Sequence, residues 1–439
     1  MSKATVVPLN EANQSLHNMQ RFRIKQVKPV ISVGFFLCLI SISMLTNAST
    51  PLIEATKNQN RIEVEALLDK GVDADEPQGD GATALHWAAY RNDAVLTDNL
   101  LKHGANPNSS DDHGVTPLSL AVLNANLDLV RLLLTGGANP NARQINGQTP
   151  LMVASRVGKK SIVEALLNSG ANVNDAEKTK KHTALMVAVA GQHEDVAKLL
   201  IEHGADVGAK SINSFTPLLF AAQQGNIELG RLLLEFGADV NESAPDGISG
   251  NTNARYRLIP DTSASALLVA IDSGHEEMAI FLLEKGANPT LNGAGRTALH
   301  SAVQHEMHDL AKTLLTHGAD PNAKLTRNMP VFSRVILIDN GLAVNKLGAT
   351  PFFLAAGFND IRMMDLLLEG GADPFINSDD GTTPLMVAAG ADFVEGQDKY
   401  NRRWFEDNIV GLQNAALPAV ERCLELGIDI NARNEDNQT

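Results

Sequence analysis

The hydrophobic positions of this chain recur in a fixed order, and the stretch from Thr116 to Pro150 shows the whole pattern once, as TPLSLAVLNANLDLVRLLLTGGANPNARQINGQTP. Leu118, Ala121 and Val122 are spaced to give a short helix with a small-residue face. Thr116 caps it, and Pro117 fits the first helical position, where no amide hydrogen is needed. A second helix carries Leu129, Val130, Leu132, Leu133 and Leu134 and stops at Gly137, a residue that enters the left-handed region without a Cβ penalty. Asn139, Pro140 and Asn141 make the exit an extended turn, and Thr149-Pro150-Leu151 opens the same phrase again. Two helices this short cannot bury an apolar face alone, so the period predicts units that stack and cover one another.

Aligning the third residue of the opening triplet gives Leu52, Leu85, Leu118, Leu151, Leu185, Leu218, Leu267, Leu299, Phe352 and Leu385. Seven of the nine intervals between them fall within one residue of 33. The phrase itself recurs as Thr83-Ala84-Leu85-His86-Trp87-Ala88-Ala89, Thr216-Pro217-Leu218-Leu219-Phe220-Ala221-Ala222 and Thr297-Ala298-Leu299-His300-Ser301-Ala302. Its second half recurs as Gly104-Ala105-Asn106-Pro107-Asn108, Gly170-Ala171-Asn172-Val173-Asn174 and Gly371-Ala372-Asp373-Pro374. This resembles the ankyrin repeat family, over about residues 49–439. The resemblance implies an all-α solenoid of about ten helix–turn–helix units with β-turn fingers, and a concave face of fingertips and inner helices that binds proteins. Carried over position by position, the finger sites include His113, Ile145, Lys180, Ile212 and Phe215, and the inner-helix sites include Tyr90, Arg91, Leu123, Arg156 and Gln223. Exposed together, Tyr90, Leu123, Ile145, Ile212 and Phe215 would form an apolar patch; ordinary surface scatter is the other reading.

Three insertions break the period. The first, near 242–262, holds Arg255 and Tyr256 and enlarges the finger before Leu267; the second, near 323–347, enlarges the finger before Phe352. The third, near 392–412, lies between the helices of the tenth unit, away from the fingers, and gathers Arg402, Arg403 and Trp404. Aromatic and arginine side chains are enriched at binding hot spots, whereas a segment that folds back on its own repeat would use Trp404 as local core. Both readings stand for each insertion.

Residues 1–48 have a different character. Four basic residues, Arg21, Arg23, Lys25 and Lys28, precede an uncharged apolar run over 30–45, and Thr46-Asn47-Ala48 supplies small residues for cleavage after Ala48. That is the layout of a secretory signal peptide, with residues 1–18 readable as an extension before a start at Met19. The run is 16 residues long, short of the roughly 20 of a spanning helix, and the alternative is an uncleaved anchor. The expected location is therefore exported, periplasmic or extracellular, with membrane contact only through that segment.

Charge narrows the partners. The chain carries −15 overall and +4 in residues 1–48, leaving −19 for the rest. A body so acidic repels phosphate backbones, so the expected partner is a protein, not nucleic acid, bound by a monomer. Chemistry is sparse. His86 and His300 hold the position that the family uses for hydrogen bonds between neighbouring units, while His103, His203 and His317 stand before helix-ending glycines, where an imidazole suits the helix dipole. His305 and His308 lack the spacing of a zinc-protease motif. Cys423 falls on an apolar outer-helix position equivalent to Leu133 and reads as a small buried hydrophobe. No phosphate-binding loop is present, and paired acids such as Asp111-Asp112 fall in turns. These readings point to no catalytic residue, metal or cofactor. Two functions of different class remain: a non-catalytic exported protein-binding scaffold, or the interaction portion of a larger enzyme or redox protein. The last residues, Asn431 to Thr439, align with Asn141 to Thr149, where a further unit follows in the earlier copy; the expectation is an array lacking its C-terminal cap.

Overall fold

The computed structural model of the chain describes residues 50–243, 264–327, 347–389, 409–437 and 439. Each unit contributes an inner and an outer helix. Units one to five are α1 (Pro51–Lys57) and α2 (Arg61–Asp69), α3 (Ala84–Tyr90) and α4 (Ala94–Lys102), α5 (Pro117–Leu123) and α6 (Leu127–Thr135), α7 (Pro150–Val157) and α8 (Lys160–Asn168), α9 (Ala184–Ala190) and α10 (Glu194–Glu202). Units six to ten are α11 (Pro217–Gln224) and α12 (Ile227–Glu235), α13 (Ala266–Asp272) and α14 (Glu276–Glu284), α15 (Ala298–Gln304) and α16 (His308–Thr316), α17 (Pro351–Gly357) and α18 (Ile361–Glu369), α19 (Pro384–Ala388) and α20 (Ile409–Glu425). Among the described residues there is no strand, and two isolated bridges, Ala176 with Thr183 and Ser243 with Ser265, sit at finger bases. The architecture is an all-α repeat solenoid.

The sequence signals act where they were expected. Thr116 Oγ1 accepts from the Ser119 N–H at 3.3 Å, and Thr149 and Thr350 do the same for Met152 and Phe353. Such a cap is worth about 1 kcal/mol, and proline follows it at the first helical position. Between helices, Leu85, Leu96, Leu100, Leu118, Leu129 and Leu133 are fully buried and form one continuous core along the stack. No single unit could bury such a core alone.

Two sets of hydrogen bonds zip the units together outside the core. Adjacent fingers join through their backbones: the Ile145 N–H donates to the His113 carbonyl, Lys178 to Asn146, and Ile212 to Lys180, all at 2.8–2.9 Å. Past several of the outer helices, an asparagine then reaches to the next unit. Asn108 donates to the Gly137 carbonyl (3.0 Å) and accepts from the Asn139 N–H (2.7 Å); Asn141 and Asn174 repeat the clasp one and two units on.

The insertions leave this frame in register. Asn241 still clasps Asn288 across the first, and Asn322 clasps Gly371 and Asp373 across the second. Chain flanking the second is closed by Leu325 donating to Ala349 and Gly348 to Leu325. Both insertions therefore depart from finger bases, and the third departs between α19 and α20, at the opposite end of the unit. There the outer helix α20 starts at Ile409, inside the stretch near 392–412 expected as insertion. Pro418 inside it lacks an N–H, and the next amide, of Ala419, donates to Asn359 Oδ1 at 3.1 Å. Among the described residues no helix is long and apolar enough to cross a membrane; the apolar run at 30–45 lies outside them.

Candidate functional site

The inner helices and fingers form one face, and it is built from a repeated position. The fifth residue of the opening phrase meets the preceding finger where it is aromatic, as Trp87 in unit two and Phe220 in unit six. Trp87 Nε1 donates to Gln78 Oε1 in its finger (3.2 Å), Tyr90 meets the Trp87 ring edge-on at 5.7 Å, and Lys57 Nζ lies 4.8 Å above it. Four units on, Phe220 packs edge-on against His182 (5.5 Å) and Phe215 (5.3 Å). Trp87, His182 and Phe220 belong to this face and were missing from the sequence-derived set, although their place in the repeat was legible.

Most of the expected residues are where the repeat frame puts them. Tyr90, Leu123, Ile145 and Ile212 are exposed, at 42%, 51%, 64% and 48%. Other large apolar side chains, Ile62 and Val95 among them, are exposed elsewhere in the array; these four lie on the inner helices and fingers. Arg91, His113, Arg156 and Lys180 are exposed beside them, and Gln223 is half-buried. Phe215 is a correction. It is 7% exposed, because the residue just before a capping threonine closes the finger hairpin and turns its side chain onto the inner helix, as Val115 does at 6%. The Ser211 N–H donates to the Phe215 carbonyl at 2.9 Å, as Asp111 does to Val115 at 3.0 Å. Arg255, Tyr256, Arg402, Arg403 and Trp404 lie outside the described residues.

The charge on this face changes along the stack. Asp80, Asp111 and Asp112 line the early fingers, whereas Lys178, Lys180, Lys181 and Lys210 project from the fingers before units five and six. Two acids near those lysines are already committed. Asp175 pairs with Arg143 at 2.6 Å. Glu177 accepts from the Thr179 N–H and hydroxyl, the Lys180 N–H and the His182 N–H, which organises its own turn. Partial burial of Glu177 disfavours its charge, but those donors outweigh it and hold its pKa below the usual value. Burial and then Lys180 draw the His182 pKa down, so its ring is neutral at pH 7.

Eight further histidines are structural. Thr83 and Thr297 donate their N–H groups to Nδ1 of His86 and His300, which fixes the neutral tautomer; Nε2–H then donates to the Val115 and Ala349 carbonyls of the next finger. His103, His203 and His317 donate through Nδ1 to the carbonyl four residues back, all at 2.9 Å, completing the last helical turn. His193 and His275 donate across the joint to Arg156 and Gln223 carbonyls. Their rings fill the space beside Gly158 and Gly225, where a Cβ would come within 2.4–2.5 Å of them and where φ is +74° and +67°. His308 pairs with Asp360 at 2.8 Å. Cys423 is buried, which pushes its thiol up to about 11 and leaves it unreactive at neutral pH. Among the described residues no group of three or more His, Cys, Asp or Glu could hold a metal ion.

A stack of capped helical hairpins with projecting fingers and an exposed apolar row defines a repeat protein of the protein-interaction class. Family models described as ankyrin repeats match residues 32–244 in overlapping copies and again 248–324, and a single ankyrin repeat matches 347–379. The chain belongs to the ankyrin repeat family, whose arrays are protein–protein interaction scaffolds. Its relatives include an ankyrin repeat protein of fowlpox virus (28% identical over 172 residues, 28% of this chain and 90% of that protein). Rabankyrin-5 of Homo sapiens is 31% identical over 26% of this chain and 10% of its own length, and the B-cell lymphoma 3 protein homolog of Mus musculus 33% over 28% and 24%. The chain thus spans most of the viral protein but a minor part of the two mammalian ones. A solved structure, the human ASB11 ankyrin repeat domain, is 27% identical, covers 55% of this chain and 100% of that one, and superposes with a TM-score of 0.45.

Proposed function

We propose that this protein is an exported, non-catalytic scaffold that holds a protein partner on the face formed by its inner helices and fingers, with the loop insertions adding contacts. The observation that carries the reading is the row of Tyr90, Leu123, Ile145 and Ile212. All four are more than two-fifths exposed, Tyr90 and Leu123 on the inner helices of units two and three and Ile145 and Ile212 on the fingers before units four and six. Large apolar side chains clustered on one face of a soluble stack mark an interaction surface. The titratable groups support the non-catalytic part: His86, His103, His193, His203, His275, His300 and His317 serve caps and joints, and Cys423 lies in the core. Export rests on the basic stretch and apolar run that precede Ala48.

One preparation tests both parts. The tagged protein is recovered from the exported fraction, sequenced from its N-terminus and cross-linked to bound proteins, beside a Tyr90→Glu, Leu123→Glu variant. A mature chain beginning at Ser49 is expected, together with partners that the variant loses while its helical content is unchanged. A chain still containing Thr5 would sink cleaved export, and equal capture by the variant would sink the binding face.

A further inference from the structure

The fingers before units four, five and six present an apolar–basic–apolar row. The Asn146 carbonyl accepts from the Lys178 N–H, and the Lys180 carbonyl accepts from the Ile212 N–H, so the loop 178–181 sits between the finger of Ile145 and that of Ile212. Ile145 and Ile212 are exposed at the two ends. Between them Lys178, Lys180 and Lys181 are exposed and carry no ion pair with a described residue, and Lys210 extends the basic surface. The acids of this region do not neutralise it, because Asp175 is held by Arg143 and Glu177 by its own turn. From Arg143 to Lys181 the chain holds seven basic against three acidic residues, inside a body of −19. A basic island in so acidic a surface focuses its field on anionic groups, and its apolar borders add desolvation energy that charge alone lacks.

We propose that this row takes an extended acidic segment of a partner protein, with Asp and Glu over the lysines and an apolar side chain on each isoleucine. The proposal rests on the protein-binding reading above and names the chemistry of the partner. Ile145 and Ile212 are separated by two unit-to-unit joints, and helices pack about 8–10 Å apart, which makes the span about 16–20 Å. At about 3.3 Å per residue this corresponds to roughly five or six residues of extended chain. A nucleic acid also offers anions but has no side chains to set on the isoleucines, and the acidic body around the island repels a long phosphate backbone.

The test uses the full chain, fluorescence anisotropy and a labelled peptide with two leucines about six positions apart and Asp or Glu between them. The expected results are binding that weakens roughly tenfold when salt rises from about 50 to 300 mM, and at least a tenfold loss for Lys178→Glu, Lys180→Glu. Loss is also expected when Gln replaces the acids or Ala replaces the leucines, with thermal melting unchanged because these lysines are exposed. Equal binding by the neutral peptide, no effect of the charge reversal, or tighter binding of a 20-base-pair DNA duplex would each overturn the proposal. Selection from a random peptide library separates the two claims. Neutral or basic peptides that bind the full chain, and are lost on Tyr90→Glu, Leu123→Glu, would overturn the acidic partner and leave the scaffold standing. A library that yields no binder would remove both.

Discussion

The joints of units two to five and the joint of units seven and eight share one helix–turn–helix frame but are fastened in different media. In the first group the fastening is outside the core and repetitive: Asn108 and Asn174, exposed, and Asn141, half-buried, each bridge to the next unit. At the joint of units seven and eight the corresponding residue is Thr290, which bonds within its own turn. There the link is buried instead. Arg296, 1% exposed, donates through Nη2 to Asp272 Oδ2 at 2.5 Å and through Nε to Ser301 at 3.1 Å. Burial pushes the Asp272 carboxyl up against the pull of that arginine. An exposed clasp contributes little and costs little when broken. A buried ion pair contributes little net and costs much when half of it is removed, because the survivor is left charged in a medium that cannot solvate it.

The largest expected effect follows from that asymmetry. Arg296→Met removes the partner of a buried carboxylate and is expected to destabilise the unit seven–eight joint by about 3–5 kcal/mol. Adding Asp272→Leu to it is expected to recover most of the loss. Hydrogen exchange resolved to α13 and α15 measures both, since an array loosens by units. A double variant no more stable than the single one would mean that the pair is not what fastens this joint.

How much of this was legible in the sequence follows from the same contrast. The 33-residue period, the capping threonines and the glycine exits are local signals that act within a few residues, and they gave helix placement, the finger positions and the exposure of Tyr90, Leu123, Ile145 and Ile212. Phe215 was misplaced because a side chain's direction at the base of a finger depends on the neighbouring inner helix; the alignment with Val115 held the answer. Arg296 escaped notice because its partner, Asp272, is 24 residues away, at the slot occupied by Tyr90 in unit two. The insertions have composition but no period, so nothing in them aligns to a position in the frame.

A second contrast separates the two capping histidines. His300 is fully buried, and its pKa is pushed down to about 4, by burial first. His86 is lowered too, but Asp111 and Asp80 nearby work in the opposite direction. Protonation of either ring would turn Nδ1 from the acceptor of a threonine N–H into a competing donor. A histidine whose folded pKa is depressed below about 6.5 contributes stability that is complete above that pH and is lost as pH falls toward the folded value. For His300 the loss is about 2 kcal/mol between pH 7 and pH 5, so acid is expected to open α15 before α3. His300→Met, the residue found at this position in α7 and α9, is expected to flatten the pH dependence of exchange in α15. Parallel opening of both helices at pH 5 would show that burial at His300 is not the controlling difference.

The smallest effect tests whether the clasp is portable. Gly208 stands where Asn108, Asn141 and Asn174 stand in earlier units, and the joint of units five and six lacks the pair of bonds that those residues make. Its φ is not in the left-handed region, and a Cβ there would meet only Asp206 Oδ1, at 3.5 Å. Asparagine therefore fits without strain. Its amide would face the Gly237 carbonyl and the Asp239 N–H, the counterparts of the Gly137 and Asn139 groups that Asn108 binds. Two exposed hydrogen bonds and the loss of glycine's backbone freedom in the unfolded chain together amount to about 1 kcal/mol. Gly208→Asn is expected to slow exchange at the exits of α10 and α12 by about fivefold, with Asn141→Ala giving a comparable acceleration at its own joint. If Asn141→Ala behaves as expected and Gly208→Asn changes nothing, then the clasp depends on finger geometry as well as on the asparagine. The regular half of the array would then be less interchangeable, unit for unit, than its hydrogen bonds suggest.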